Sequence, residues 1–408
     1  MRSHSVLAVL ATFSTSLAAP APAPAPEADE HAAIAPRGAM QPYNDYDILN
    51  FALSLEYLGR AFYTQGLNNY SMEDFCNCGF DPSVYENLQK ILVDEQNHVA
   101  FLEAVLEEDA VSEAAYQFPS TDPVTFIQFA AILEGVAISA FSGAAAAVLP
   151  FYYDSKVKKR AAEAEARGEP VVEKRFPLDG DYDYLNGFVM AMDGILGVES
   201  QHASYIRYVA GYPSFPNSFS TPLTLNATWS IATESIKVWP AGNQLPFTAY
   251  PTLTLAPQED VYIPGVSNVT FLNAYSNALN AGLISQGDPV YAVFFSGLNQ
   301  YYTQTTVAAN NRDLTATIPT TPAENGFQYI QAPPSGQVYV LLSTADGVNA
   351  LIENSNTLSG VGILEVEAAP AQGPNPPILG NTENIGKPAP KDAKASKGPQ
   401  GPQGKKDS

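Results

Sequence analysis

Apolar side chains recur every three to four positions between residues 44 and 211, and every second position beyond about residue 250. Ile48, Leu49, Ala52, Leu55, Leu58 and Phe62 trace one face of a helix over 44–63. Asn44 or Asp45 can cap it, and Gly66 with Asn68-Asn69 is expected to stop it. Asp81-Pro82 opens a second helix, with a capping carboxylate followed by proline in the first turn. It runs through Ile91, Leu92, Val99 and Leu102 to about Glu108. Thr121 or Asp122, followed by Pro123, opens a third helix that is expected to end near Val148, before Pro150. A fourth spans Asp181 to Val209 and ends at Gly211. Residues 212–250 are rich in Pro, Ser and Thr and read as a connector with one short helix around Trp229 to Ile236. The runs 290–295, 314–318, 338–342 and 361–366 alternate or are apolar throughout, and they read as strands separated by turn residues.

A few charged residues break the apolar helical faces, and they do so in a pattern. Glu56 lies in Leu53-Ser54-Leu55-Glu56-Tyr57-Leu58, and Glu134 lies in Ile132-Leu133-Glu134-Gly135-Val136. Glu95-Gln96-Asn97-His98 and Glu199-Ser200-Gln201-His202 each place a carboxylate and an imidazole three residues apart, on one helical face. Of the 4 histidines, His4 and His31 lie in terminal segments, and the other two both belong to this motif. The spacing from Glu56 to Glu95 equals that from Glu95 to Glu134, and the longer step to Glu199 leaves room for a charged insertion at 153–178. A charge on an apolar face is costly unless paired or metal-bound. Four such carboxylates would be balanced by two divalent cations.

The order Glu, Glu-x-x-His, Glu, Glu-x-x-His is the ligand set of ferritin-like dinuclear carboxylate proteins. Glu95 and Glu199 would bridge or chelate, Glu56 and Glu134 would be terminal, and His98 and His202 would each give one nitrogen. Mixed oxygen and nitrogen ligation without thiolate suits iron, then manganese, rather than structural zinc. A metal-free network of buried Glu and His is the competing reading. Asp94 is placed to hydrogen-bond His202 across the helices, unless it is simply a solvated helix residue. Glu103 reads as a surface residue before an access carboxylate, and Tyr63 as packing before redox chemistry.

Net charge is −22 and the isoelectric point is near 4.4, which argues against nucleic-acid partners. Arg2 followed by the apolar run from Val6 and the small residues Ser16-Leu17-Ala18 reads as a signal peptide over 1–18, hence secretion to the cell exterior or wall. An Ala/Pro-rich disordered linker is expected over 19–41. No transmembrane segment is expected. Asn69, Asn226 and Asn268 begin Asn-x-Ser/Thr sequons and are candidate glycan sites. Cys76 and Cys78 leave a disulfide open, although a bridge across one residue is strained. Glu173-Lys174-Arg175 reads either as a dibasic processing site or as an exposed charged loop. Residues 369–408 form a basic Pro/Gly/Lys-rich tail, expected to be disordered; with the β-rich part it is a candidate contact to cell-wall polymers or extracellular proteins. The oligomeric state is left open.

These motifs, with Leu55-Glu56-Tyr57, Leu133-Glu134-Gly135 and the segment Phe215 to Leu223, resemble secreted ferritin-like proteins of filamentous fungi. Those proteins are of the late sexual development or stress-response type and are related to plant desiccation-related proteins. The resemblance covers roughly residues 42–250 and implies a four-helix bundle and secretion without a firmly assigned reaction. The expected fold class is α+β multidomain: a ferritin-like four-helix bundle over 42–211, the connector 212–250, and a small immunoglobulin-like β-sandwich over 251–368. Three functions stand: an oxidase or ferroxidase, a manganese catalase-like peroxide scavenger, and a non-catalytic structural or binding protein of the wall.

Overall fold

The computed structural model describes residues 43–167, 184–240, 245–257, 261–323 and 332–367. The expected signal peptide, linker, dibasic site, the part of the insertion after 167 and the C-terminal tail lie outside these residues.

Four long helices carry the helical region: α1 (Asp45–Asn69), α3 (Pro82–Leu106), α4 (Pro123–Arg167) and α5 (Tyr184–Ala210). A short α2 (Met72–Asn77) precedes α3, and α6 (Leu225–Glu234) follows α5. Helix starts are set by side-chain caps. Asn44 and Asp47 form a capping box on α1, Asp81 accepts from the Ser83 amide at 2.9 Å, and Asp122 accepts from the Thr125 amide at 2.8 Å.

Two helix ends and one additional helix differ from the sequence reading. Helix α1 runs past Tyr63 and Gly66 and ends at Asn69, within the expected Asn68-Asn69 stop; a Cβ on Gly66 would lie 2.0 Å from the Phe126 ring, so this glycine permits a close helix approach. The Ser71/Asp74 capping box starts α2, an element without enough length to show periodicity. Helix α4 passes Pro150 and takes up residues 153–167 of the expected insertion, where Ala, Lys and Glu favour helix strongly. Its stretch Pro123–Ala145 is long and apolar enough to cross a membrane by length and composition, with mean hydropathy 1.8, yet most of it is buried inside the protein.

An aromatic cluster ties α1 to α4: Phe62 stacks on Phe126 at 4.5 Å between centroids, and Phe118 and Phe129 close around it. The expected connector is part of this core. Every residue of α6 from Leu225 to Ala232 is buried, and Trp229 packs on Phe51 and Phe247. Asn226 is 5% exposed, and its amide oxygen accepts from Tyr43 Oη and the Thr248 amide. A glycan on that expected sequon would have to displace this packing. Asn69 and Asn268 are exposed, as are the unpaired Cys76 and Cys78.

The β-rich part consists of two antiparallel sheets. Strands β3 (Asn268–Phe271), β7 (Leu314–Thr317) and β6 (Thr306–Val307) form one, in the order β3-β7-β6. Strands β5 (Asn299–Gln304), β4 (Tyr291–Ser296), β8 (Gly336–Ser343) and β9 (Gly362–Val366) form the other, in that order. A small ladder of β1 (Ala115–Tyr116) and β2 (Ile236–Val238) lies with the helices. The short α7 (Ala274–Asn280) follows β3.

Strand β8 explains how the two regions join. Val338, Val340 and Leu342 enter the core shared with the three-stranded sheet. Tyr339 and Leu341, on the opposite face, enter a second apolar cluster with Ile132 and Val136 of α4 and Ile231 of α6. The larger sheet is therefore covered on both faces, which is why β8 is apolar at nearly every position. Gly135 and Gly143 allow the approach: a Cβ on the first would meet the Gln337 side chain at 2.4 Å, and one on the second the Leu223 carbonyl at 1.8 Å. Tyr339 donates to the Gly135 carbonyl at 2.7 Å. Arg207 of α5 makes a buried two-pronged ion pair with Glu365 of β9, at 2.7 and 3.1 Å.

Two stability measurements follow from this packing. Arg207→Met leaves Glu365 buried without its partner and is expected to cost about 3–5 kcal/mol in denaturant unfolding, most of it recovered by adding Glu365→Leu. An undiminished midpoint for Arg207→Met contradicts the joined architecture. Burial pushes the Glu234 carboxyl at the end of α6 up to about 8, with a Thr252 hydrogen bond acting the other way. Its folded pKa exceeds its unfolded value of 4.5, so its protonated form is favoured by folding and stability is lost as pH rises from 4.5 through 8. Glu234→Gln should therefore leave the melting temperature unchanged at acid pH and raise it by a few degrees above pH 8; a pH-independent difference contradicts this.

Candidate metal centre

Each long helix delivers its carboxylate from a buried stripe. Glu56 comes from α1, Glu95 and His98 from α3, Glu134 from α4, and Glu199 and His202 from α5. The four carboxylates are 1–3% exposed and His202 is 6% exposed, while His98 is partly buried. All six sequence-derived candidates converge at one place. Their donor atoms form two groups of four, each within 4.8 Å: Glu56, Glu95, His98 and Glu199; and Glu95, Glu134, Glu199 and His202. Glu95 and Glu199 stand in both groups.

Their orientation is fixed from outside the cluster. Asp94 lies 3.2 Å from His202 Nε2, which turns Nδ1 inward. Tyr63 donates to Glu134 Oε1 and leaves Oε2 facing the cluster. His98 Nδ1 stands 3.3 Å from Glu56 Oε2 and 3.2 Å from Glu199 Oε1. Glu103 is exposed and accepts from Tyr57 Oη at 2.8 Å, outside both donor groups.

The second group has the geometry of a cation site. His202 Nδ1 is 3.7 Å from Glu95 Oε1, from Glu134 Oε2 and from Glu199 Oε2. That is too long for a hydrogen bond. Ligands each about 2.0–2.2 Å from one ion stand roughly 3–4 Å apart. Glu134 Oε2, Glu199 Oε1 and His202 Nδ1 are buried with no hydrogen-bond partner. Buried polar atoms are ordinarily satisfied, so Glu134 Oε2 and His202 Nδ1, 3.7 Å apart in this group, are suited to ligate a cation, while Glu199 Oε1 faces His98 in the other group.

The electrostatics point the same way. Burial, reinforced by the neighbouring carboxylates, holds Glu95 well above the ordinary carboxylate range. Burial also holds Glu134 well above it, against the opposing pull of His202. Glu56 is raised by burial, with His98 opposing. Burial pushes Glu199 up too, but His202 and His98 beside it bring it down to about 2. Both imidazoles are lowered by burial and raised further by carboxylates: His98 by Glu199 and Glu56 to about 10, His202 by Glu199 and Glu134 to about 9. These shifts favour protons on the cluster, which limits its charge. Divalent metal would take their place, since ligands bind deprotonated.

Three features of the site go beyond the sequence reading. Gly59 leaves room for Glu95: a Cβ there would sit 2.6 Å from Oε2. A glycine inside an apolar helical run, one turn after Glu56, was the available signal. Tyr63 is a direct hydrogen-bond partner of a candidate ligand rather than packing alone. A cavity of about 30 Å³ adjoins the four carboxylates, walled by apolar residues that include Leu55, Leu133, Val136 and Phe141, and closed by Ile231 and Ala232 of α6.

Residues 44–167 match the family model of the ferritin-like domain. The match carries Glu56, Glu95, His98 and Glu134 and stops before Glu199 and His202. Comparison with curated proteins returns no match. The helical region thus contains a ferritin-like domain with a buried acidic and imidazole cluster compatible with a metal site, and a separate β-sheet region packs against it.

Proposed function

We propose that α1, α3, α4 and α5 form a ferritin-type four-helix bundle that holds two divalent metal ions, iron before manganese, and works as an oxidase or ferroxidase. The observation that carries this reading is the sharing of Glu95 and Glu199 between two four-donor groups. It supports bridging roles for these two, terminal roles for Glu56 and Glu134, and one nitrogen each from His98 and His202. When bound, two iron ions would supply electrons to dioxygen or peroxide, whereas two manganese ions would supply peroxide disproportionation.

The chain's own groups define the conditions for that chemistry. Asp94 holds the His202 ring so that Nδ1 is the donor. Tyr63 keeps Glu134 Oε2 directed inward. The cavity of about 30 Å³ has room for a molecule with few heavy atoms; one water needs roughly 10–15 Å³ on this measure. Dioxygen and hydrogen peroxide match that size, while a large organic substrate does not. The apolar walls exclude bulk water from the carboxylates.

The apolar N-terminal run and the exposed sequons at Asn69 and Asn268 support secretion of a glycoprotein to the cell exterior or wall. The motif resemblance supports a role in stress response or development. The two facing sheets support the reading of an immunoglobulin-like sandwich.

Oxygen uptake on adding Fe(II) to the metal-free full-length chain is the test of activity. Uptake is expected, and its loss in Glu95→Ala/His202→Ala, together with loss of bound metal and a lower melting temperature. Dioxygen release from peroxide by manganese-loaded protein, with an inert iron form, would put the catalase-like reading in its place. Unchanged metal content in the double variant would remove the assignment altogether. Asp94→Ala should weaken metal binding in equilibrium dialysis by about 10–100-fold, and Gly59→Ala should weaken it by displacing Glu95. Wild-type affinity in both would separate these residues from the site.

A further inference from the structure

A second recess lies on the far side of α4 and α5, where the segment Ser214 to Thr221 crosses to the larger sheet. It is a cleft of about 250 Å³ lined by α4, α5, this segment and the start of β8. Two phenylalanines of the segment line it, Phe215 at 84% exposure and Phe219 at 48%.

The exposure of these rings does not come from a loose loop. Asn217 Nδ2 donates to the Ser335 carbonyl at 2.7 Å, and Ser335 Oγ stands 2.9 Å from the Pro216 carbonyl and 2.8 Å from Asn217 Oδ1. The Gly297 amide donates to Thr221 Oγ1 at 2.8 Å. Arg207 Nε donates to the Pro213 carbonyl at 2.8 Å on the other side of Phe215, so Phe215 lies between the Pro213 and Pro216 anchors and Phe219 between Asn217 and Thr221. Apolar groups presented on a fixed frame mark a binding surface more than scattered ones do.

The lining selects the ligand chemistry. Its one charged residue among the described residues is Arg207, and that charge is taken by Glu365 at 2.7 Å. The cleft is therefore electrically neutral, on a chain whose net charge of −22 repels anionic polymers. What remains is a set of hydroxyls and amides, including Ser214, Ser218 and Ser220 alternating with the phenylalanines and Asn217. A pyranose ring presents C–H groups on its faces, which pack on aromatic rings, and hydroxyls on its rim, which pair with hydroxyls and amides. The volume lies just under the ~300 Å³ lower end of drug-sized pockets, which suits one or two sugar units of a longer chain.

We propose that this cleft binds a neutral polysaccharide chain, with Phe215 and Phe219 as its stacking platform. The inference does not rest on the metal reading, since none of the six candidate ligands lines the cleft.

The test is calorimetric titration of the full-length protein with four neutral hexasaccharides: β-1,3-glucan, β-1,4-glucan, chitin and mannan oligomers. An oligogalacturonate serves as the anionic control. At least one neutral oligomer is expected to bind, equally at low and high salt, with no binding of the control. Phe215→Ala and Phe219→Ala should each weaken it by about tenfold or more, as removal of an aromatic anchor does. Their melting temperatures should be unchanged, because both side chains are exposed. The proposal is overturned if none of the four binds, or if binding survives the double variant. It is also overturned if the double variant changes only the sedimentation of the protein, which would make the rings a self-association surface.

Discussion

Four carboxylates and two imidazoles enter an otherwise apolar helical core, and the surrounding structure is arranged to tolerate them. Buried charge of this density is stable only when balanced. The four long helices bring the groups together so that each has an opposite or proton-sharing neighbour. Tyr63, Asp94 and Gly59 then set the directions from outside. Three polar atoms are still left without partners. That shortfall is compatible with a metal site.

The same helices also support the sheet. Helix α4 presents Glu134 to the site and Ile132 and Gly135 to the sheet, and Val136 both lines the cavity and packs in the cluster against β8, so the wall of the site continues into that seam. Helix α6 belongs to both: Ile231 closes the cavity beside the carboxylates and also packs in the cluster against the sheet. The β-sheet region is thus bound to the helices by apolar packing, by the Tyr339 hydrogen bonds and by the Arg207–Glu365 pair. Shifts of the sheet would reach the cavity through a single layer of side chains.

Much of the helical frame was legible because its signals are local. Asp81-Pro82 and Asp122-Pro123 mark helix starts through capping chemistry that involves only neighbouring residues. Glu-x-x-His was legible because a three-residue step fixes a shared helical face. The spans 290–295, 314–318, 338–342 and 361–366 contain or overlap β4, β7, β8 and β9, whose apolar content is high on at least one face. What stayed hidden depends on partners distant in sequence. Nothing near Gly66 announces Phe126, nothing near Gly143 announces the Leu223 carbonyl, and the burial of Asn226 arises from Tyr43 and Thr248. Strand β6 has only two residues, and β5 (Asn299–Gln304) is polar or tyrosine throughout, so no apolar alternation stands out in either. The Pro/Ser/Thr composition of 212–250 read as a connector with one short helix around Trp229 to Ile236; what it did not show is that this helix, α6, fills the core, with Trp229 packed on Phe247.

The proposal on which the functional reading turns is that two cations sit among these six side chains. Anomalous diffraction at the metal absorption edge, from crystals of the metal-loaded protein, tests it most directly. The account predicts two peaks inside the helices, one within reach of Glu56, Glu95, His98 and Glu199 and the other within reach of Glu95, Glu134, Glu199 and His202. Density free of peaks at this place, with the six side chains in the arrangement described, would contradict it.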